Sequence, residues 1–507
     1  MISRLARRDQ ICDRVQGRAK GEDHHDRPNP YFLEAEGGCR FCIDEIECLA
    51  LKGLKIKTCA DQIQFCGGFV HTLQHGQRRD VFGIAGGQKF LHQAHLRDGQ
   101  VIEEREVEDP LSFIEEFQGR YRVPDVEGLP KFDGGLVGYF GYEIIENIEE
   151  KLKGLSPEDR LHIPDIHMML AEEVAVFDNL AGKVWLITHV DPAEDLAYEK
   201  GQKRLAELTH RLRSGSTGYA EMINPNSINT TDFKTGFTQE EFTEAVAKCK
   251  NYIESGDIMQ VVLSQRISTQ FNARPLDVYR ALRASNPSPY MYFMDFGDYQ
   301  VVGSSPEVLV KRVDNEVTLR PIAGTRPRGK DAAEDLAFEK DLLSDPKEIA
   351  EHLMLIDLGR NDVGRIAEIG TVELKDKMVI EHYSHVMHIV SEIQGQLKSG
   401  LSNADIIKAV FPAGTLSGAA KVRAMEVIAE LEKVKRNVYA GAVGYWGWHG
   451  DMDMAIAIRT AVIKDQQLHV QAGAGIVADS TPEGEWQEIM NKARAVIKAV
   501  AQASDGF

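Results

Sequence analysis

Residues 320–362 read RPIAGTRPRGKDAAEDLAFEKDLLSDPKEIAEHLMLIDLGRND. The opening part reads as a strand ending in a Gly324-Thr325 turn, with Arg320, Arg326 and Arg328 close by. An acidic spacer follows, and the last part reads as a helix. Asp345 is a favourable N-cap, Pro346 suits the first helical position, and Glu348 stands where a capping box places its acid. Glu348 and Glu351 are three apart, so they share a helical face. A Gly-Thr turn beside carboxylates and arginines points to a site for an anionic, hydroxyl-bearing small molecule, with a hard cation such as magnesium. The same spacing also fits a plain capped helix with a solvated acidic face.

Composition narrows the partners. The chain has 507 residues, a length that suggests two or three domains, and 43% of them are hydrophobic against 27% charged. A formal net charge of −19 argues against nucleic acid or an anionic membrane as a general partner. An anionic substrate would therefore need local help from arginine, lysine or a metal. No run of apolar residues is long enough to span a bilayer, and the basic opening MISRLARRDQICDRVQGRAK lacks the apolar core of a secretory signal. An Arg-bearing organelle-targeting segment is an alternative there, with a cytoplasmic location as the default. Six of the seven cysteines precede residue 67: Cys12, Cys39, Cys42, Cys48, Cys59 and Cys66. Cys39-x-x-Cys42 has no second CxxC or spaced His pair to complete a zinc site, so free thiols in a reducing compartment are expected.

Along the chain, residues 1–30 read as a poorly ordered extension and 31–213 as an N-terminal structural and effector-site domain. Residues 214–237, rich in Ser, Asn, Gly and Thr, read as a linker, and 238–507 as the catalytic domain. A helix follows Asp109-Pro110, with Leu111, Phe113, Ile114 and Phe117 as its apolar stripe. Residues 172–190 alternate and turn at Asn179–Gly182, as a hairpin does. Thr238 and Glu241 form a capping box before an apolar face of Phe242, Ala245, Val246, Cys249 and Ile253, which makes Cys249 a core residue. GGLVGYFGYE (134–143) echoes AGAVGYWGW (440–448): Gly135, Gly138 and Gly141 align with Gly441, Gly444 and Gly447. This predicts two similar strands, one per subdomain. AIAIRTAVI-KD-QQLHVQAGAGIV reads as an antiparallel hairpin, and the class is α+β.

PIAGTRPRG, DPKEIAEHLMLIDLGRND, SHVMHIVS, YAGAVGYWG, AIAIRT, QAGAGIVADSTPEGEWQE and NKA occur in this order between positions 321 and 493. Together they resemble the chorismate-binding enzymes, and within them the branch that makes anthranilate. The resemblance is close over the C-terminal half and looser back to about residue 97. It implies a large antiparallel two-sheet β-sandwich flanked by helices. It also implies a magnesium-dependent lyase of tryptophan biosynthesis that converts chorismate and ammonia to anthranilate and pyruvate. The alternatives are an enzyme that stops at aminodeoxyisochorismate, and a non-catalytic homologue that only binds chorismate.

The resemblance assigns roles residue by residue. Glu351 and Glu488 would ligate Mg2+, with Glu348 and Glu485 acting through water. Glu307, beside Pro306 and an apolar strand, would be the general acid, its carboxyl pKa raised by desolvation. Gly324 and Thr325 would hold the C4 oxygen, and His388 would assist the elimination. Tyr439 and Arg459, with the backbone amides of Gly473, Ala474 and Gly475, would bind the enolpyruvyl carboxylate, and Lys492 would add positive charge. Relatives that make aminodeoxychorismate carry lysine where Ala323 stands, and those that add water carry lysine where Gln260 stands, so ammonia is the expected nucleophile. The sequence carries no glutaminase domain and no glycine-flanked cysteine nucleophile, which implies a separate glutamine amidotransferase subunit. Pro289, Tyr290 and Met291 match half of the family's tryptophan effector site. Ala35 stands where the other half has serine, so weak or absent feedback inhibition is expected.

Overall fold

The computed structural model describes the backbone of residues 40–47, 69–72, 81–85, 91–97, 100–214, 228, 232–383 and 386–506, with side chains from residue 107 onward. Twelve strands form the largest sheet, seven the next and four a third. The strand pairs are antiparallel, as in the hairpin of Glu173–Asp178 with Lys183–Val190 and the ladder of Gln260–Gln270 against Gln467–Ile476. One buried core draws on both larger sheets: Leu136, Leu170 and Val310 from the twelve-stranded sheet pack with Val261, Leu263 and Val302 from the seven-stranded one. Side chains of several helices complete it, including Phe242 and Cys249 from Gln239–Glu254 and Val496 and Val500 from Pro482–Asp505.

Local signals act as elementary physics requires. Asp109 caps helix Pro110–Gln118, whose Leu111, Phe113, Ile114 and Phe117 are all buried. Thr238 and Glu241 form the reciprocal capping box, and Cys249 is fully buried, a core residue with its thiol pKa pushed up to about 12 by burial.

Three expectations change. The acidic spacer is itself a helix, Ala332–Ser344, capped by Asp331. The two glycine-rich segments do not occupy separate subdomains. They pair with each other in one sheet, Gly138 opposite Gly444 and Gly135 opposite Gly447, and a Cβ on Gly441 would come 3.1 Å from the Gly141 Cα. The echo is thus a contact, in which small residues let two strands and their neighbours pack without side chains between them. Through this pairing the twelve-stranded sheet runs continuously from strands before residue 172 into strands after residue 300. Finally, AIAIRTAVI is not one strand. Met452–Ile456 belongs to the twelve-stranded sheet and Thr460–Lys464 to the seven-stranded one, with a crossing between them at Ala457–Arg459.

Candidate active site

Two such crossings run side by side. Strand Tyr299–Ser305 of the seven-stranded sheet passes through Pro306 and Glu307 into Val308–Val313 of the twelve-stranded sheet. The return crossing carries Arg459. The Ile456 amide donates to the Glu307 carbonyl (3.0 Å), Ser305 Oγ donates to the Ile456 carbonyl (2.6 Å), and the Ser304 amide donates to the Arg459 carbonyl (3.2 Å). Arg459 holds a left-handed backbone (φ 50°), a conformation that non-glycine residues adopt where surrounding contacts enforce it.

These bonds fix an acid and a cation together. Glu307 is 7% exposed, and burial pushes its carboxyl up to about 7. Thr415 Oγ1 donates to its Oε1 (2.9 Å), and this bond and the charges of Lys492 and Arg459 pull the other way. The Arg459 guanidinium makes no ion pair among the described residues, and burial lowers its pKa while the negative charge of Glu307 opposes that shift.

The Gly-Thr pair is not a terminal turn. It lies inside strand Ile322–Pro327, where the register slips between Ala323 and Thr325 opposite strand Val386–Gln396. Gly324 adopts φ 70°, the left-handed glycine of a β-bulge. The bulge sets Thr325 against His388, whose Nδ1 lies 2.9 Å from the Gly324 carbonyl and 3.1 Å from Thr325 Oγ1. A carbonyl only accepts, so the network assigns the proton to Nδ1 and leaves Nε2 of the neutral ring with its lone pair. Burial lowers the His388 pKa, as does the nearby Arg459 charge. Arg459 is therefore felt at both Glu307 and His388.

The three arginines near the bulge are not free to hold an anion. Arg320 pairs with Glu381 and Glu392, Arg328 with Asp335, and Arg326 with Asp341, Asp345 and Glu348. Arg326 thereby ties the bulged strand to the start of helix Pro346–Ile366. There Asp345 caps as expected, but Glu348 makes no capping box: its Oε2 would lie 3.2 Å from a Cβ on Gly324.

Four carboxylates ride on two helices, Glu348 in the first turn and Glu351 in the second turn of Pro346–Ile366, and Glu485 in the first turn and Glu488 in the second turn of Pro482–Asp505. Gln260 Nε2 donates to Glu351 Oε1 (3.3 Å), and a Cβ on Gly475 would come 2.6 Å from that same nitrogen. Lys492 Nζ lies 2.7 Å from Glu488 Oε1 and donates to the Gly473 carbonyl (3.1 Å). Tyr439 Oη would be 2.8 Å from a Cβ on Gly473. Glycines at 473 and 475 thus let three polar side chains reach the strand backbone. Ala474 is fully buried, so it contributes backbone only. Strand Thr460–Lys464 pairs with this strand only up to Val470, which leaves one edge of Gln471–Ile476 without a strand partner among the described residues.

Oxygen donors of this kind suit a hard cation. Burial and Glu351 raise the Glu348 pKa, and burial and Glu488 raise that of Glu485. Glu485 Oε2 is buried without a hydrogen-bond partner among the described residues. Among the described residues no three His, Cys, Asp or Glu side chains gather into a complete metal site. An all-oxygen pair completed by substrate oxygens and waters is the usual arrangement for magnesium.

Thr415 was missed from the sequence. Its signal was a further Gly-Thr pair, Gly414-Thr415, one of two besides Gly324-Thr325. Tyr383, whose ring meets His388 edge-on at 5.3 Å, carried no signal. Of the effector residues, Tyr290 donates to Asp453 Oδ1 (2.7 Å) and Met291 packs on the core. Pro289 precedes that strand, and Ala35 and Cys39 lie outside the described residues. Among the described residues no helix is long and apolar enough to cross a membrane.

Comparison with known proteins gives the family. Residues 72–498 match the family model for chorismate binding enzyme. Anthranilate synthase component 1 of Pseudomonas aeruginosa is 59% identical over 442 residues, covering 86% of this chain and 90% of the relative. The Pseudomonas putida protein of the same name is 59% identical over 415 residues, 81% of this chain and 84% of the relative. The crystal structure of anthranilate synthase component I from Streptococcus pneumoniae superposes with a TM-score of 0.72 at 37% identity, covering 95% of this chain and 97% of the other. The chain belongs to the chorismate-binding enzyme family.

Proposed function

We propose that the chain catalyses the reaction for which its relatives are named, making anthranilate and pyruvate from chorismate and ammonia, with loss of the C4 hydroxyl as water. The observation that carries this reading is Glu307, a buried carboxyl with a pKa pushed to about 7, held by two parallel chain crossings beside Arg459, which makes no ion pair among the described residues.

Arg459 and Tyr439 bind the enolpyruvyl carboxylate, helped by backbone groups along the open edge of Gly473–Gly475. Thr325 orients the C4 hydroxyl, and Glu307 protonates it as ammonia attacks C2. The new C2 ammonium loses a proton, which restores Glu307; His388 Nε2 then takes the C2 proton, the C3–oxygen bond breaks, enolpyruvate leaves and regains that proton as pyruvate, and the ring becomes aromatic. The tautomer set by the Gly324 carbonyl suits this base role. Glu351 and Glu488 would hold magnesium, supported by Glu348 and Glu485. When bound, the ion neutralises the ring carboxylate and polarises the allylic system. Lys492 bridges the two halves, paired to Glu488 and close enough to lower the Glu307 pKa. Ammonia comes from a separate glutamine amidotransferase subunit. Tryptophan inhibits weakly or not at all, because of Ala35.

The test is product identity. The purified chain with chorismate, magnesium and ammonium should give anthranilate and pyruvate in equal amounts by fluorescence and mass spectrometry. An amino product that keeps its pyruvyl group would mean that the lyase half is absent and that His388 is not the base. Absence of any product from a folded chain that binds chorismate would favour a binding protein. Strong tryptophan inhibition would overturn the effector reading alone.

A further inference from the structure

The wall around His388 holds an aromatic side chain to which the reaction proposed above gives no part. Strand Glu373–His382 pairs with Val386–Gln396, with Glu381 opposite His388, while Thr325 flanks His388 from the other side. The ladder runs one residue past the end of that strand, since the Tyr383 amide donates to the Val386 carbonyl (2.8 Å). Side chains two apart on a strand leave on one face, so Glu381 and Tyr383 share the face of His388. The Tyr383 ring meets the imidazole edge-on, with centroids 5.3 Å apart and planes at 67°. That contact and the bond from Nδ1 to the Gly324 carbonyl grip the imidazole at two points.

Tyr383 is itself fixed. Its hydroxyl donates to Glu381 Oε2 (3.1 Å), and Arg320 pairs with the same carboxylate. Its carbonyl accepts from Arg328 Nη1 (2.8 Å), and Asp335 holds Arg328 in turn. Burial raises the phenol pKa, and the charges of Glu381 and Glu307 add to that shift, so the hydroxyl keeps its proton and does not serve as a base. Glu381 is engaged by Arg320 and the phenol, and its charge acts on His388 through space. The charge of Glu307 is felt at Tyr383, and Tyr383 is felt at Arg459, which puts the ring on the wall of the catalytic cleft. An aromatic ring anchored by its hydroxyl and its backbone, and resting against an imidazole, is built to set the orientation of that imidazole.

We propose that Tyr383 is a positioning residue for the elimination step, holding the His388 imidazole in the plane that presents Nε2 to the C2 proton. The inference rests on the base role proposed above for His388 and adds the side chain that makes this role effective. Attack of ammonia and loss of the C4 hydroxyl go through Glu307 and Thr325, so a loosened imidazole slows only the second half of the reaction. The amino intermediate then escapes with its pyruvyl group before elimination. A side chain that only filled space would slow both halves together.

The test compares the wild type, Tyr383→Phe and Tyr383→Leu with chorismate, magnesium and ammonium, reading kcat, chorismate KM and the ratio of anthranilate to pyruvyl-bearing amino product. Tyr383→Leu should make anthranilate about 10- to 100-fold more slowly, with KM within about twofold and the amino product now released. Tyr383→Phe keeps the ring and should lose no more than about fivefold. Nitrogen-15 NMR of His388, assigned against His388→Gln, gives a readout that needs no turnover. The wild type should show a single tautomer protonated at Nδ1, and Tyr383→Leu a mixture of both. An unchanged product ratio or an unchanged tautomer in Tyr383→Leu would overturn the inference, as would equal losses in the two variants or a change confined to KM. If the wild type itself makes no anthranilate, the reaction reading fails, and the imidazole signal alone decides whether Tyr383 sets the ring. If Tyr383→Leu does not fold, Glu381→Leu frees the phenol from its anchor and should shift the ratio toward the amino product by about threefold. An unchanged ratio there would overturn the inference.

Discussion

The two sides of the candidate active site are built by opposite means. Glu307, His388 and Arg459 sit on strands or on crossings between sheets, and Glu307 and His388 are 7% and 8% exposed. Glu348, Glu351, Glu485 and Glu488 ride on the first two turns of helices and are partly open, with the Glu488 side chain 47% exposed. Burial in a rigid frame is what shifts a proton affinity, so the strand side is suited to move protons. Partly open carboxylates leave room for waters, so the helix side is suited to hold a hydrated cation. Lys492 and Gln260 join the sides, one from helix to strand and one from strand to helix.

That division can be broken most sharply at Glu307. Glu307→Gln should lower kcat by about 10²- to 10⁴-fold with little change in chorismate binding, since only the proton is lost. Measuring kcat and KM separately decides it, and a change confined to KM would make Glu307 a binding residue. The same variant tests stability. In the wild type the folded carboxyl holds its proton up to about pH 7 and the unfolded one loses it near its ordinary value of 4.5, so stability falls as pH rises between them. That slope should flatten in Glu307→Gln, read as urea midpoints at pH 5 and pH 8.

Smaller effects belong to the cation side. Glu351→Gln and Glu488→Gln should each weaken apparent magnesium affinity by at least ~10-fold, with activity partly recovered at excess magnesium. Activity that is lost yet unresponsive to magnesium would remove these residues from the metal site. Smallest is Thr415→Val. It deletes a donor that stabilises ionised Glu307, so the Glu307 pKa rises further and the alkaline limb of activity moves to higher pH, with kcat changed a few-fold.

The two sides also differed in how well the sequence exposed them. Helix-borne residues were legible because capping and spacing are local: Asp345, Pro346 and the Glu348–Glu351 pair lie where periodicity puts them. The buried side was legible mainly by resemblance. Arg459 lies within a run that alternates like one strand, and no local signal marks that the chain leaves one sheet for another there. The Gly-Thr bulge looked like a turn because a left-handed glycine serves both, and only the partner strand distinguishes them. The echoing glycine triplets were recognisable as a pattern, but their pairing with each other is a long-range contact that composition does not encode. The arginines of residues 320–328 looked like anion binders, and their acidic partners came from elements that only folding brings near.

The most direct test of the account is the pH dependence of kcat at constant free ammonia and saturating magnesium, for the wild type and for the residual activity of Glu307→Gln. The account predicts an alkaline limb with an apparent pKa near 7 in the wild type, because Glu307 must carry its proton, and a profile without that limb in the variant. An alkaline limb that persists unchanged in Glu307→Gln would contradict it, and the acid would have to be sought elsewhere.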